Sequence, residues 1–287
     1  MEPGLRALVA NMSSSQQPLV TLNSGQTMPQ LGLGVYKVNQ DIAVQLIQHA
    51  LDVGYRRIDT AALYDNEAEV GAAIRKSGLA REEVFVTSKI WNDRHGYLEA
   101  KEAIQESVDR LNIGYVDMML IHWPCPKQDK FVETWRAFEE ALETGLVRGI
   151  GVSNFNQPHL EKLLASANVT PAINQVELHP QLAQQSLRNF NKSHGIKTEA
   201  WAPLGRARFN ENPLLLELAA SLNKTVAQVI IRWHLQLENL VIPKSSNPDR
   251  LAENFDVFDF ELSHHNMGVI ETLNTETRIA TNPDDMN

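Results

Sequence analysis

Residues 55–67 read YRRIDTAALYDNE, and this stretch carries the unit that recurs along the chain. An apolar run reaches its end at Ile58, and a carboxylate, Asp59, follows directly. Tyr64 comes shortly afterwards, and the helical pattern DNEAEVGAAIRKSG begins at the next residue. A strand, a loop with polar side chains and a helix, in that order, predict one βα unit of a parallel sheet.

The same order of elements repeats through the sequence. Strand-like runs fall at 31–36, 56–61, 84–89, 116–123, 149–154, 173–178, 197–203 and 240–245. Apolar residues at helical spacing lie at 41–54, 97–112, 131–145 and 247–258, with further helical pieces within 213–237 and 263–274. Eight strands alternating with helices predict an α/β fold, the (β/α)8 TIM barrel.

The domain organisation follows from the barrel. An α/β barrel of this length is routinely one domain, so we expect a single domain at 19–287 after a flexible tail at 1–18. The segment LVTLNSGQTM (19–28) contains turn residues and is expected to form a β-hairpin that covers the bottom of the barrel. A doubly wound sheet is the alternative, but LGLGVY (31–36) and GIGVSNF (149–155) lack the third glycine of its phosphate-binding turn.

Composition argues against several classes of function. The 287 residues carry a formal net charge of −9, which disfavours a nucleic-acid partner because phosphates favour a basic face. No apolar run approaches the roughly 18 residues needed to span a membrane, so no membrane partner is expected. Cys125 is the only cysteine, so no internal disulfide can form, and a reducing, cytoplasmic setting is expected.

Four side chains at three neighbouring strand ends point to chemistry. Active sites of barrel enzymes lie at the carboxyl ends of the strands, where we place Asp59 with Tyr64, then Lys89, then His122. Each residue taken alone is more often structural, so their joint occurrence carries the prediction. An ammonium stabilises a nearby phenolate, so Lys89 is expected to lower the pKa of Tyr64 while Asp59 holds Lys89 in place.

Such a tyrosine can protonate a carbonyl oxygen that His122 orients. The hydride must then come from a reduced nicotinamide, because no side chain supplies one.

Five motifs resemble the signatures of the aldo-keto reductase family. They are GYRRIDTAALYDNEAEVG (54–71), IHWP (121–124), IGVSNF (150–155), NQVELHP (174–180) and IPKSSNPDRLAEN (242–254). EAWAPL (199–204) is similar to the microbial 2,5-diketo-D-gluconate reductase and glyoxal reductase subgroup. The resemblance implies one barrel, NADPH, and reduction of small carbonyls such as 2,5-diketo-D-gluconate or methylglyoxal, with Asp59, Tyr64, Lys89 and His122 as the catalytic residues.

The resemblance also implies a cofactor site along the strand ends. It assigns nicotinamide contacts to Ser153, Asn154 and Gln175, stacking to Trp201, pyrophosphate contacts to Leu204 and Gly205, and adenosine contacts to Lys244, Ser245, Arg250, Glu253 and Asn254. Lys244 and Arg250 suit a ribose 2′-phosphate, so NADPH is expected over NADH. The start of the helix after Asn247 is expected to add backbone N–H donors.

The substrate mouth is expected to be lined by Tyr36, Trp91, Asn92 and Trp123. The tail after residue 274 is short, which predicts an open site for small polar carbonyls. The arginines of the loop 205–208 could contact either the cofactor pyrophosphate or an acidic substrate, and the sequence leaves both open.

Two other functions compete with a reductase. A non-catalytic NADPH-binding module of the same fold would bind the cofactor without turnover. A metal-dependent hydrolase could draw on His122, His179, Glu177 and Asp59, but the sequence lacks a His-x-His pair, and no metal is expected. The resemblance also suggests a monomer.

Overall fold

The computed structural model describes residues 17–287 of the chain. The tail predicted at 1–18 therefore lies almost wholly outside the described residues. Its last two residues already bond to the segment before the barrel, since Gln17 Oε1 accepts from Leu31 N and Pro18 O accepts from Gln30 N.

Strands and helices alternate through the described part. The strands β1 to β10 are Leu19–Thr21, Thr27–Pro29, Leu33–Gly34, Arg57–Asp59, Phe85–Ile90, Met118–Ile121, Ile150–Ser153, Ile173–Glu177, Lys197–Trp201 and Leu240–Val241. The helices α1 to α10 are Gln40–Val53, Glu67–Lys76, Tyr97–Leu111, Phe131–Glu143, Gln157–Leu164, Gln185–Ser193, Pro213–Leu222, Val226–Gln236, Pro248–Phe255 and His264–Glu271. No specific helix was predicted at α5 or α6.

Strands β3 to β10 form one parallel sheet in chain order. A parallel bridge between Leu31 and Val241 joins the two edges of this sheet and closes it, which confirms the predicted (β/α)8 barrel. The paired strands are shorter than predicted at both edges. Strand β10 stops at Val241, and Pro243 follows two residues later without an N–H to continue the ladder.

The hairpin of β1 and β2 covers the amino-terminal end of the barrel. Its strands pair antiparallel, with Val20 opposite Met28. Met28 and Leu22 are buried in one cluster with apolar side chains that begin the barrel strands, among them Phe85, Met118, Ile173 and Leu240. This arrangement confirms the hairpin and its predicted place.

The helices pack their apolar faces against the outside of the sheet. In α3 the buried residues recur at spacings of three and four, namely Ala100, Ala103, Ile104, Ser107, Val108 and Leu111. Helix α1 ends as predicted at Gly54, which has φ 126° and donates its N–H to Ala50 O and Leu51 O. Among the described helices no single one is long and apolar enough to cross a membrane, and only α7 and α8 together, bent by 86°, pass that test.

Candidate active site

Four polar side chains stand at the carboxyl ends of three neighbouring strands. Asp59 is the last residue of β4, Lys89 lies one residue before the end of β5, and His122 directly follows β6. Tyr64 ends a short 3-10 turn, Ala62–Tyr64, beyond β4. The barrel therefore brings together the four residues that the sequence predicts as catalytic.

The ammonium group of Lys89 is fully buried and fixed in direction. Its Nζ donates to Asp59 Oδ1 at 2.6 Å and to Thr60 O at 2.7 Å, which uses two of its three hydrogens. Burial lowers the pKa of Lys89, but the charge of Asp59, helped by Tyr64 and Glu199, outweighs burial and raises it. Lys89 is therefore a fixed cation, with its Nζ 5.0 Å from the centroid of the Tyr64 ring.

Tyr64 is half-buried within an aromatic cluster. Its ring centroid is 4.9 Å from that of Tyr36 and 5.7 Å from that of His122. The pKa of Tyr64 is raised to about 12, because burial raises it more than the charge of Lys89 lowers it, and Asp59 adds to the rise. Lys89 lowers this pKa as predicted, but desolvation exceeds the effect of the cation, so the expected net fall below the ordinary tyrosine pKa is wrong. Tyr64 is a protonated donor at neutral pH.

The imidazole of His122 is buried and neutral. Burial, and then the positive charge of Lys89, lower the pKa of His122 well below its ordinary value. Its ring meets that of Trp91 edge to face, with centroids 5.0 Å apart. Its Nδ1 has no hydrogen-bond partner among residues 17–287. A neutral imidazole beside a phenol can donate an N–H to an oxygen without carrying charge into the site.

The side chains of Ser153 and Asn154 already bond within the protein. Ser153 Oγ donates to Gln175 O at 2.9 Å. Asn154 Nδ2 donates to His122 O at 2.9 Å and to Ser153 Oγ at 3.1 Å. Asn154 Oδ1 accepts from Trp201 Nε1 at 2.8 Å, which fixes the half-buried indole at the end of β9. These bonds order the predicted nicotinamide contacts into one rigid group.

Gln175 keeps one open acceptor. Its Nε2 donates to Asp59 Oδ2 at 2.8 Å and to Glu199 Oε2 at 2.9 Å, so both amide hydrogens are used. Its Oε1 accepts no hydrogen bond from any residue in the described part of the chain. A free amide oxygen and a fixed indole fit the carboxamide and the flat ring of a nicotinamide.

The predicted 2′-phosphate residues lie after β10. Lys244 and Arg250 are exposed, and neither forms an ion pair with another described residue, which suits a multiply charged anion. Ser245 Oγ accepts from Asn247 N at 3.0 Å. The helix start does not offer the expected N–H donors, because Asn247 Oδ1 already accepts from Asp249 N at 2.8 Å and Arg250 N at 3.3 Å. The side-chain cations of Lys244 and Arg250 are therefore the groups here that are open to an anion.

The other two adenosine candidates lie on α9. Glu253 is half-buried and accepts from Thr225 Oγ1 at 2.8 Å. Asn254 is buried at 3% exposure, which leaves little of its side chain open to a ligand.

The predicted pyrophosphate contacts lie in the loop after β9. Leu204 is half-buried, and Gly205 is buried with φ 56°. Arg206 and Ala207 also have positive φ, 54° and 67°, so the backbone turns sharply here. Arg206 and Arg208 are exposed and form no ion pair with another residue of 17–287.

The predicted substrate residues divide into two groups. Tyr36, 44% exposed, and the half-buried Trp91 stand beside Tyr64 and His122 and are open to solvent. Asn92 and Trp123, at 6% and 8% exposure, are nearly covered. The first pair therefore forms the accessible rim.

The sequence of residues 28–275 matches the model of the aldo/keto reductase family. The chain belongs to this family. The resemblance drawn from the five motifs is thereby confirmed.

Three other members of the family show how far the likeness extends. Glyoxal reductase of Bacillus subtilis (strain 168) is 48% identical over 276 residues, which are 96% of this chain and 99% of that protein. The crystal structure of a Gox0644 mutant in complex with NADPH is 42% identical with a TM-score of 0.91, over 94% of this chain and 99% of that one. Bombyx mori aldo-keto reductase in complex with NADP is 35% identical with a TM-score of 0.88, over 94% of this chain and 98% of that one.

In this aldo/keto reductase the carboxyl-terminal segment lies across the end of β8. Glu177 Oε1 accepts from Ile279 N at 2.6 Å, and Oε2 accepts from Ala280 N at 3.2 Å. His179 Nε2 lies 3.0 Å from Glu177 Oε1. Further along, Asp284 Oδ1 accepts from Asn156 Nδ2 at 2.7 Å.

The metal-hydrolase alternative gains no support from this geometry. Glu177 is taken up by the tail and by His179, and Asp59 is taken up by Lys89 and Gln175. No group of three or more His, Cys, Asp or Glu within residues 17–287 is arranged to hold a metal ion.

A second buried ion pair beneath the four residues was not predicted. Arg57 begins β4, and Glu199 lies in the middle of β9; their side chains are fully buried and paired with each other. The signal in the sequence was one charge of each sign within two predicted strands, Arg57 in 56–61 and Glu199 in 197–203. Such charges are almost never fully buried unless they are paired, so the two could have been matched once the barrel was assumed.

Proposed function

We propose that this aldo/keto reductase reduces small aldehydes and ketones to alcohols with NADPH. The observation that carries the proposal is the placing of Tyr64 beside the buried Lys89–Asp59 pair and the neutral His122. The nicotinamide fits the free oxygen of Gln175 and the fixed indole of Trp201. The 2′-phosphate fits Lys244 and Arg250, which form no ion pair with another described residue. Bound NADPH supplies the hydride that adds to the carbonyl carbon.

The chain's own residues handle the proton. Tyr64 donates its phenolic hydrogen to the carbonyl oxygen as the hydride arrives at carbon, and the product is a neutral alcohol. The tyrosinate left behind lies beside Lys89, whose charge stabilises it. Asp59 keeps Lys89 charged and in place. His122 donates to the same carbonyl oxygen and orients it, and the next proton reaches Tyr64 from solvent.

Small dicarbonyls, keto acids and sugar-derived carbonyls are the substrates we propose, with methylglyoxal and 2,5-diketo-D-gluconate as examples. The name of the Bacillus subtilis relative, glyoxal reductase, supports this class. The rim of Tyr36 and Trp91 is aromatic and open to solvent, so a small substrate could reach Tyr64 and His122. We further propose that one domain, residues 19–287, acts as a cytoplasmic monomer, which light scattering and fractionation test.

The test is a panel of aldehydes and dicarbonyls assayed by the loss of NADPH absorbance, run with NADPH and with NADH, on the native chain and on Tyr64→Phe. We expect turnover with NADPH that is far weaker with NADH and nearly lost in the variant. Binding of NADPH, followed by tryptophan fluorescence, with no turnover on any carbonyl would instead favour the non-catalytic module. Absence of both would refute the proposal.

A further inference from the structure

A row of buried groups runs beneath the proposed nicotinamide site from one side of the barrel to the other. Arg57 pairs with Glu199 Oε1, Glu199 Oε2 accepts from Gln175 Nε2, and the other hydrogen of that nitrogen goes to Asp59 Oδ2. Asp59 Oδ1 then meets Lys89. All five residues are at most 2% exposed. The row contains two cations and two carboxylates, so its charges balance.

The two carboxylates fix which way round the amide of Gln175 lies. An ionised carboxylate only accepts hydrogen bonds, and the NH₂ of a glutamine offers two hydrogens. Asp59 and Glu199 take one hydrogen each. Turning the amide over would set its oxygen against two carboxylate oxygens and leave both without a donor, which is costly in a buried site. The amide oxygen of Gln175 is therefore the atom left for a ligand.

Arg57 fixes Glu199 in turn. Its Nη2 donates to Gln30 O at 3.1 Å and to Val241 O at 2.9 Å, at the seam where the barrel closes. Its Nη1 takes Glu199 Oε1, so only Oε2 remains for Gln175. Burial raises the pKa of Glu199, and the charge of Arg57 opposes that rise.

We propose that Glu199, held by Arg57, is a positioning residue that makes Gln175 present an acceptor, and so selects a cofactor ring that bears a primary carboxamide. This inference rests on the proposed function, because it concerns the same nicotinamide site. Neither residue touches the cofactor in this proposal; both act through Gln175. The free oxygen of Gln175 would accept a hydrogen bond from the N–H of the carboxamide.

The first variant is Glu199→Gln, which keeps the shape of the side chain. Arg57 can only donate, so the single oxygen of the new amide goes to Arg57 and its NH₂ turns toward Gln175. Gln175 can then keep one hydrogen on Asp59 while its oxygen turns to the new amide, away from the ligand. The acceptor is lost without the removal of any atom that a ligand would contact.

The measurement compares binding of NADP⁺ with binding of its 3-acetylpyridine analogue, in which a methyl group replaces the carboxamide NH₂. Quenching of tryptophan fluorescence reports both Kd values without any turnover. We expect the native chain to bind NADP⁺ about tenfold more tightly than the analogue, as one good hydrogen bond gives. In Glu199→Gln the ratio should fall to about twofold or less.

Four further proteins make the result specific. Gln175→Met should give the same low ratio, and Glu199→Gln added to it should lower the ratio no further. The double variant Arg57→Met/Glu199→Met leaves no unpaired charge and should also give a low ratio. It replaces Glu199→Gln as the test if that variant does not fold. Asp117→Asn is the matched control, since Asp117 is a largely buried carboxylate paired with Arg81 just before β6, at the other end of the barrel.

Each outcome has one meaning. A native ratio near one, or a native-like ratio in a folded Glu199 variant, overturns the proposal. An equal loss of ratio in Asp117→Asn would also overturn it, because general loosening would then explain the change. If the native chain binds neither ligand and reduces no carbonyl, it is the proposed function that fails; if it binds NADP⁺ and turns over while the ratio stays unchanged, only this inference fails.

Discussion

Lys89 Nζ lies 2.6 Å from Asp59 Oδ1 at the carboxyl end of the barrel, and both side chains are buried. Burial alone lowers the pKa of a lysine, and here the charge of Asp59 more than reverses that effect. Lys89 therefore keeps its positive charge beside Tyr64 even though it is buried. Removal of the Asp59 carboxylate should therefore lower the pKa of Lys89 while the fold remains intact.

Asp59→Asn tests this coupling. The variant removes the main cause of the raised Lys89 pKa, so Lys89 loses its proton at lower pH and the alkaline limb of the kcat profile moves toward neutrality. We expect kcat to fall about 10- to 100-fold near pH 8, since each unit of pKa shift changes the charged fraction up to tenfold. Measurement of kcat against pH for both proteins, at saturating NADPH, tests this expectation. An alkaline limb at the native pH would contradict the coupling.

The same pair has a consequence for stability. The pKa of Lys89 is raised in the folded chain, so its contribution to stability is complete below the ordinary lysine pKa. That contribution is lost as the pH rises through the folded-state pKa. The native chain should therefore lose more of its Tm at strongly alkaline pH than Asp59→Asn does.

The acidic side of the rate profile should be flat near the ordinary histidine pKa of 6.5. Burial and Lys89 hold the pKa of His122 well below that value, so His122 stays neutral through mildly acidic pH. Tyr64, with a pKa of about 12, stays protonated across the same range. We expect kcat to vary less than about twofold between pH 6 and pH 8. A limb centred near 6.5 that disappears in His122→Gln would show that His122 titrates and would refute this reading.

Most of the barrel could be predicted because its signals are local. Each strand is a short apolar run, and α1, α3 and α4 carry a clear buried stripe. Helix α6 was not predicted because it is short and polar: only Leu187 and Asn191 are buried, so few apolar residues mark its inner face. The four strand-end residues were found for a similar reason, since their position follows from the order of strands alone.

Other features of the site depend on three-dimensional packing. Arg57 and Glu199 are 142 positions apart, and they meet only because the barrel closes. The pKa of Tyr64 depends on how much water its neighbours exclude, which no motif encodes, so the sign of its net shift was predicted wrongly. The cap that Asn247 places on α9 likewise removed donors that the sequence had suggested.

Lys244→Ala and Arg250→Ala should each weaken NADPH binding while they barely affect NADH. Both cations are exposed and unpaired within the described residues, so the 2′-phosphate is the partner they lose. We expect roughly a tenfold rise in the Kd of NADPH for each change, because a hydrogen bond to a charged group contributes about 1.5–3 kcal/mol. Lys192→Ala, which removes a surface lysine paired with Glu238, is the matched control. An equal loss of affinity for NADPH and NADH would mean that Lys244 and Arg250 do not bind the 2′-phosphate.

Cys125 should be unreactive despite its place just after the His122–Trp123 strand end. Its side chain is buried, and burial raises the pKa of the thiol to about 12, so the nucleophilic thiolate is scarce at neutral pH. Incubation with iodoacetamide at pH 7 should leave turnover intact, and mass spectrometry should find the thiol unmodified until the chain is unfolded. Rapid inactivation that bound NADPH prevents would contradict this expectation.

Glu177→Gln should release the carboxyl-terminal segment from the barrel. Burial raises the pKa of Glu177, but the bonds from His179 and from Ile279 N outweigh burial and lower it, so the group is ionised and holds the segment. Because the folded pKa is depressed, this stabilisation is present above the ordinary glutamate pKa and is lost as the pH falls through the folded value. The amide that replaces the carboxylate retains only one acceptor oxygen for the bonds from Ile279 N, Ala280 N and His179.

Limited proteolysis measures that release directly. We expect cleavage within 275–287 to be about 5- to 30-fold faster in Glu177→Gln, which corresponds to the loss of about 1–2 kcal/mol of local stability. Glu271→Gln changes an exposed glutamate at the end of α10 and should leave the rate unchanged. The native chain should also become more sensitive as the pH falls, whereas the Glu177 variant should respond much less. Equal cleavage of the native chain and Glu177→Gln at every pH would mean that the other contacts, such as Asp284 with Asn156, hold the segment without Glu177.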